Sequence, residues 1–119
     1  MIPIRTCPDL TEEHRKNPRR YAHTFHYPNV ICVAAQFMEL PVKFRLGILI
    51  HECGHLIQGD RQHSERCADQ TGARFARVPV LRADYGSAKN LEYVPAAYTV
   101  DAVRFCERHL INEIGDFQE

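Results

Sequence analysis

No stretch of this chain approaches the roughly 20 consecutive apolar residues that a membrane-spanning helix needs. Met1-Ile2-Pro3-Ile4-Arg5 also lacks the apolar run of a secretion signal, so a cytoplasmic protein without membrane association is expected. Excess charge is missing too. Lys+Arg 15 stand against Asp+Glu 15, and the balance holds in both halves of the chain, which argues against the net positive field of a dedicated nucleic-acid binder. None of the five cysteines (Cys7, Cys32, Cys53, Cys67, Cys106) sits in a C-x-x-C pair, and their number is odd. Reduced thiols are therefore expected rather than a disulfide framework. Internal repeats, low-complexity tracts and Gly/Ser-rich linkers are lacking, so residues 1–119, 45% hydrophobic, are expected to form one domain around one core. Histidine is what the chain has in quantity. Seven in 119 residues prompt a search for metal ligands.

The local signals predict an α+β arrangement. Asp9 and Glu12 form a capping-box pattern ahead of a two-turn helix that stops before Pro18. Tyr21, His23, Phe25 and Tyr27 alternate with smaller or more polar residues, Pro28-Asn29 supplies a turn, and Val30–Ala34 reads as a buried strand, together a hairpin. Pro41 suits a helix start, and the apolar residues of Val42–Gln58 surround nearly the whole helical circumference, the mark of a buried helix. Gly59 ends it, Ser64 can cap a second helix from Glu65 to about Arg77, and residues 78–98 read as irregular. A last amphipathic helix is predicted from Val100 to Asn112, opened by Thr99, with Val103, Cys106, Leu110 and Ile114 on one face.

Inside the buried helix stands His51-Glu52-Cys53-Gly54-His55, an H-E-x-x-H sequence that chance would supply only about 0.03 times in a chain of this composition. Helical geometry puts His51 and His55 one turn apart on one face, where two imidazoles can share a zinc ion and Glu52 can take a proton from water held there. Two histidines and a glutamate in an apolar helix are costly to desolvate unpartnered, and a metal satisfies all three. A third ligand is needed if one position is to stay open. Glu65, ten residues after His55 at the first turn of the next helix, is placed to supply it if that helix folds back antiparallel. Ala68, Gly72 and Ala76 form a strip of small residues that would allow close approach, and Asp69, one turn after Glu65, can accept the N–H of a liganding imidazole.

Together, His51-Glu52-Cys53-Gly54-His55 and Glu65-Arg66-Cys67-Ala68-Asp69 resemble the two halves of the gluzincin metallopeptidase signature, H-E-x-x-H followed by E-x-x-x-D. The resemblance covers about residues 30–77 and is nearest to very small gluzincins and the phage-associated peptidases of the ImmA/IrrE type. It implies a minimal zincin-like domain with Zn2+ held by His51, His55 and Glu65, Glu52 as general base, and Asp69 orienting His51. It also implies that Val30–Ala34 is the edge strand along which an extended peptide substrate lies. The link from His55 to Glu65 is short for the larger members. Rival ligands are His63 and Asp60 in that link; the metzincin spacing fails, because positions 58 and 61 are Gln58 and Arg61.

Cys53 and Cys67 lie near the ligands but are expected in the core. Tyr98 is the first candidate for the donor that stabilises the oxyanion, with Tyr85, His109 and Tyr93 as alternatives. The basic run from His14 to Arg20 is expected to be a solvated face, with nucleic acid an unlikely partner. The activity expected is hydrolysis of a peptide or protein substrate. Two other classes are a non-catalytic zinc-stabilised binding module and a zinc-dependent nuclease, the latter suggested only by the basic run and a third histidine two residues late for a three-histidine endonuclease pattern.

Overall fold

The strands that organise the molecule come from both ends of the chain. In a computed structural model that describes residues 1–18, 20–25, 29–59, 65–79, 93–115 and 117, β1 (Ile2–Thr6) lies at the centre of a four-stranded sheet of order β2-β3-β1-β4. It pairs in parallel with β3 (Val30–Val33), Ile4 opposite Ile31, and in parallel with β4 (Leu110–Asn112), Ile2 opposite Leu110. The ladder to β3 begins only at Ile4, which is why Pro3, with no N–H to donate, is tolerated in an interior strand. β2 (Ala22–Phe25) completes the hairpin with β3, Ala22 opposite Val33 and Phe25 opposite Val30, as predicted.

Alternation divides the sheet into two buried faces. Ile4, Ile31 and Val33 join the main core, together with Leu46, Leu49, Ile50 and Cys53 from α2 (Val42–Gln58) and Val103 and Cys106 from α4 (Thr99–His109). Cys32 and Ala34 turn the other way and meet Leu10 of α1 (Pro8–Lys16), which covers the opposite face. α2 has the bounds predicted, and Gly59, at φ 82°, stops it with its N–H on the His55 carbonyl. α3 (Glu65–Ala76) follows, with Ala68, Gly72 and Ala76 all buried. No described helix is long and apolar enough to cross a membrane.

Several expectations need correction. β3 is an interior strand, flanked by β1 and β2, so Val30–Ala34 is not a free edge; among the described strands the outermost on that side is β2. The last helix ends at His109, because the backbone groups of residues 110–112 pair with Ile2–Ile4, a tertiary ladder that outweighs the helical spacing of Leu110. The strand Ile2–Thr6 was not anticipated. At α1 the cap is Cys7, with Pro8 in the first turn and no side-chain bond to the cap, so the Asp9–Glu12 capping box does not form. Thr11 ties that helix to the chain beyond β3, accepting the Ala35 N–H at 2.9 Å.

Cys7 and Cys32 form a disulfide, Cα atoms 5.6 Å apart, contrary to the expectation of five reduced thiols. Parallel pairing of β1 with β3 brings the residue after Thr6 beside Cys32, a proximity that spacing in the sequence does not reveal. Of the basic run, Arg15 pairs with Glu12 at 2.6 Å and Arg20 with Glu13 at 3.2 Å, exposed pairs worth under about 1 kcal/mol each. The described part of the run is thus mostly exposed, with two of its cations paired to carboxylates; Arg19 lies outside the described residues.

Thiol counting tests this arrangement. Cys53 and Cys106 are buried and Cys67 is partly exposed. Burial, with the Glu52 carboxylate adding to it, pushes the Cys53 thiol up to about 12, and burial likewise raises Cys106 well above its ordinary value. Iodoacetamide at pH 8 is expected to label Cys67 alone in the native protein, three cysteines after denaturation without reductant, and five after reduction, counted by mass spectrometry. Five labels without reductant would remove the bridge.

Candidate metal centre

Three polar or charged residues are buried among the described ones, His51, Glu52 and Asp69, and all three belong to one place. Burying such groups singly costs several kcal/mol, so their company needs a common cause. His51, 4% exposed, sits in the second half of α2; its Nδ1 lies 2.7 Å from Oδ1 of Asp69, 1% exposed, on α3. Its other nitrogen, Nε2, lies 2.6 Å from Oε2 of Glu65 at the start of α3. His55, one turn along α2, points Nε2 at the same Glu65 oxygen from 3.3 Å, and the two imidazoles stand edge to face with centroids 4.8 Å apart.

This arrangement fits a cation. Asp69 accepts the Nδ1–H of His51, which leaves the Nε2 of the neutral ring as a lone pair. That lone pair then faces the Glu65 carboxylate oxygen, and the His55 lone pair faces it too. Three electron-rich atoms aimed at one another repel unless a positive charge, a proton or a metal ion, lies among them. The donor set of two imidazole nitrogens and a carboxylate oxygen, one atom from each, all within 4.8 Å of one another, could hold a metal ion. It matches the chemistry of a zinc site with three protein ligands. Where protons rather than a metal ion fill that place, hydrogen bonds from His51 and His55 hold the Glu65 carboxyl well below the usual carboxylate range.

The inner and outer parts of the site differ in exposure. His51, Asp69 and Glu52 are sealed, Glu52 at 7% exposed on the turn between the two histidines, whereas the Glu65 side chain is half exposed. The centre therefore opens to solvent on the Glu65 side. Cys53 points into the main core near Cys106, as expected for a structural thiol.

Of the remaining candidates among the described residues, none makes a hydrogen bond to this centre. Tyr98, 37% exposed, belongs to the short 3-10 turn Ala96–Tyr98 before α4 and makes no hydrogen bond to the described site residues. Tyr93 packs on Phe44 near the start of α2, centroids 5.8 Å apart, and exposed His109 packs on Phe105 at the end of α4. Asp60, His63, Ser64 and Tyr85 lie outside the described residues. Comparison with known proteins returns no matching family model, no matching curated protein and no matching solved structure.

One divalent ion per chain is the expected stoichiometry when zinc is added back to the stripped protein, read by native mass spectrometry. Asp69→Ala, which leaves His51 Nδ1 unpaired, is expected to weaken binding about 10- to 100-fold and to cost about 2 kcal/mol of stability. Unchanged affinity in Glu65→Ala would take Glu65 out of the ligand set.

Proposed function

We propose that this protein is a small zinc-dependent metallopeptidase of the gluzincin type, with a minimal zincin-like fold like that of the phage-associated ImmA/IrrE peptidases. The observation that carries the reading is the convergence of His51, His55 and Glu65 on one point, with Glu52 beside it on the same helix and Asp69 behind His51. The buried Glu52 supplies a carboxylate in the motif position from which a base would act on water held at that point. A bound zinc ion supplies Lewis acidity at this point, polarising a scissile carbonyl and making nearby water acidic enough to lose a proton near neutral pH.

The chain's own residues do the rest. His51, His55 and Glu65 fix where the electrophile sits, and Asp69 holds the tautomer of His51 that presents Nε2 as a donor. The Glu52 carboxylate accepts the proton of the attacking water and returns it to the nitrogen of the departing amine, a step whose bookkeeping needs one base used twice.

The substrate backbone can lie along β2. The Tyr21 carbonyl accepts the Ala34 N–H at 2.8 Å, so in antiparallel alternation Tyr21, His23 and Phe25 turn their backbone groups toward β3, and Ala22 and Thr24 turn theirs outward. Those outward groups offer an extended peptide a place as the next strand, with side chains alternating between the α2 side and the α1 side of the sheet. Substrate therefore has to be unfolded or extended over a few residues at the cleavage point.

Glu52→Gln separates this reading from its rivals. The variant is expected to keep its zinc and to lose at least 10²-fold in the rate of cleavage of unstructured casein, followed by mass spectrometry of the fragments, with hydroxamates inhibiting the wild type. An equally active Glu52→Gln protein would overturn the role of Glu52. A wild-type protein that binds zinc, ignores hydroxamates and cleaves nothing would be a binding module stabilised by its metal.

A further inference from the structure

α2 and α3 touch backbone to backbone at two points, and each point adjoins the metal ligands. A Cβ placed on Gly54 would overlap the carbonyl oxygen of Ala68 and stand 3.0 Å from its Cα. A Cβ placed on Gly72 would overlap the carbonyl oxygen of Ile50, with Ile50 Cγ2 at 3.1 Å. In both cases the first obstruction is main chain, so no rotamer change relieves it. Gly54 immediately precedes His55, and Ile50 immediately precedes His51; on α3, Ala68 precedes Asp69 and lies one turn after Glu65, and Gly72 follows a turn later. The two contacts enclose His51 on α2 and Asp69 on α3, and His55 and Glu65 lie within one turn of the Gly54–Ala68 contact.

We propose that Gly54 and Gly72 are positioning residues for the metal centre: by excluding a Cβ at both contacts they set the α2–α3 separation at the value that lets Glu65 reach the point between His51 and His55. The inference rests on the reading of those three residues as metal ligands. Its physical basis is the lack of slack. Glu65 Oε2 lies 2.6 Å from His51 Nε2 and 3.3 Å from His55 Nε2, and Asp69 closes on the His51 ring at 2.7 Å; donor atoms sharing one zinc ion stand about 3.3 Å apart, so the Glu65–His55 pair is already at that span with nothing to spare. Relieving a methyl–carbonyl overlap needs the helices to part by about 1 Å, more than a preorganised site tolerates. The half-exposed Glu65 side chain, at the very start of α3, then falls short of the imidazoles. Gly54 thus serves a different need from Gly59, which is required for its backbone angle.

Cobalt(II), whose visible absorption reports ligand number, is the probe. Affinity is measured by competition with a chelator on wild type, Gly54→Ala, Glu65→Ala and the double variant, with thermal melting of each metal-free protein as the check on folding. Gly54→Ala is expected to weaken cobalt binding at least tenfold and to lower the absorption intensity as a ligand is lost. In the Glu65→Ala background the same glycine change is expected to alter affinity less than about twofold, because the ligand through which it acts is gone. Losses that multiply in the double variant, or a folded Gly54→Ala protein that binds as wild type does, would overturn the proposal. Glu65→Asp provides a second reading that does not depend on a glycine variant folding: shortening the reach by one methylene should reproduce the tenfold loss, and wild-type affinity there would mean that the spacing has slack and the proposal is wrong. Unchanged affinity in Glu65→Ala alone would instead dispose of the ligand assignment beneath it.

Discussion

The buried hydrogen bond between His51 and Asp69 is the interaction on which the candidate site depends. It joins two residues 18 apart in sequence, both almost fully removed from water, and it joins the two helices that carry every proposed ligand. An unpartnered imidazole at that depth costs about 2 kcal/mol, a large share of the roughly 5–15 kcal/mol by which such domains are stable. The pair therefore acts as a constraint in both directions. α3 must dock with Asp69 facing His51, and at the close approach that Gly54 and Gly72 permit, Glu65, one turn earlier on the same helix, arrives beside His51 and His55.

The rest of the fold serves to hold α2 still. Its inner surface is packed on the α2 side of the sheet by Ile4, Ile31 and Val33 and flanked by Val103 and Cys106 of α4. The sheet itself is fixed by strands from opposite ends of the chain, with β1 and β4 side by side, so that α4 cannot leave the core without pulling a strand from the ladder. On the far face, the Cys7–Cys32 bridge and the Thr11 hydroxyl fasten α1 across β3. A bridge closing a loop of 25 residues restricts the unfolded chain by about 3 kcal/mol in the chain-entropy account. Both faces of the sheet are thereby covered in a chain of 119 residues, and β2 is left as the edge beside α2's side of the core.

What the amino-acid pattern disclosed was whatever is written locally. The 17 residues of α2 carry their own start, their own apolar circumference and a glycine stop, and the H-E-x-x-H spacing needs nothing but helical periodicity to place its side chains. Glu65 and Asp69 were legible because a single helix turn separates them. What escaped was non-local. Ile2–Thr6 has a proline and little alternation, and becomes a strand only because Ile31 and Leu110 arrive on either side of it. Residues 110–112 continue a helical spacing and yet pair as a strand for the same reason. The identity of the edge strand and the partner of Cys7 are likewise properties of the strand order, which no local pattern encodes. Gly54 stood inside the motif as one of its two unspecified positions; only the carbonyl of Ala68 pressing against it explains why a glycine is there.

The two halves of the site differ in a way that fits catalysis better than storage of a metal. A purely structural centre gains from four protein ligands and complete burial, because each strengthens binding and shields the ion. Here the histidine–aspartate side is sealed and rigid, and the side bearing Glu65 is half open. A set of three protein donors would leave a position for water or substrate on a bound ion, and the Glu65 side is where this cluster reaches solvent. Precision is thus concentrated where the backbones of α2 and α3 meet, and access is concentrated where they diverge.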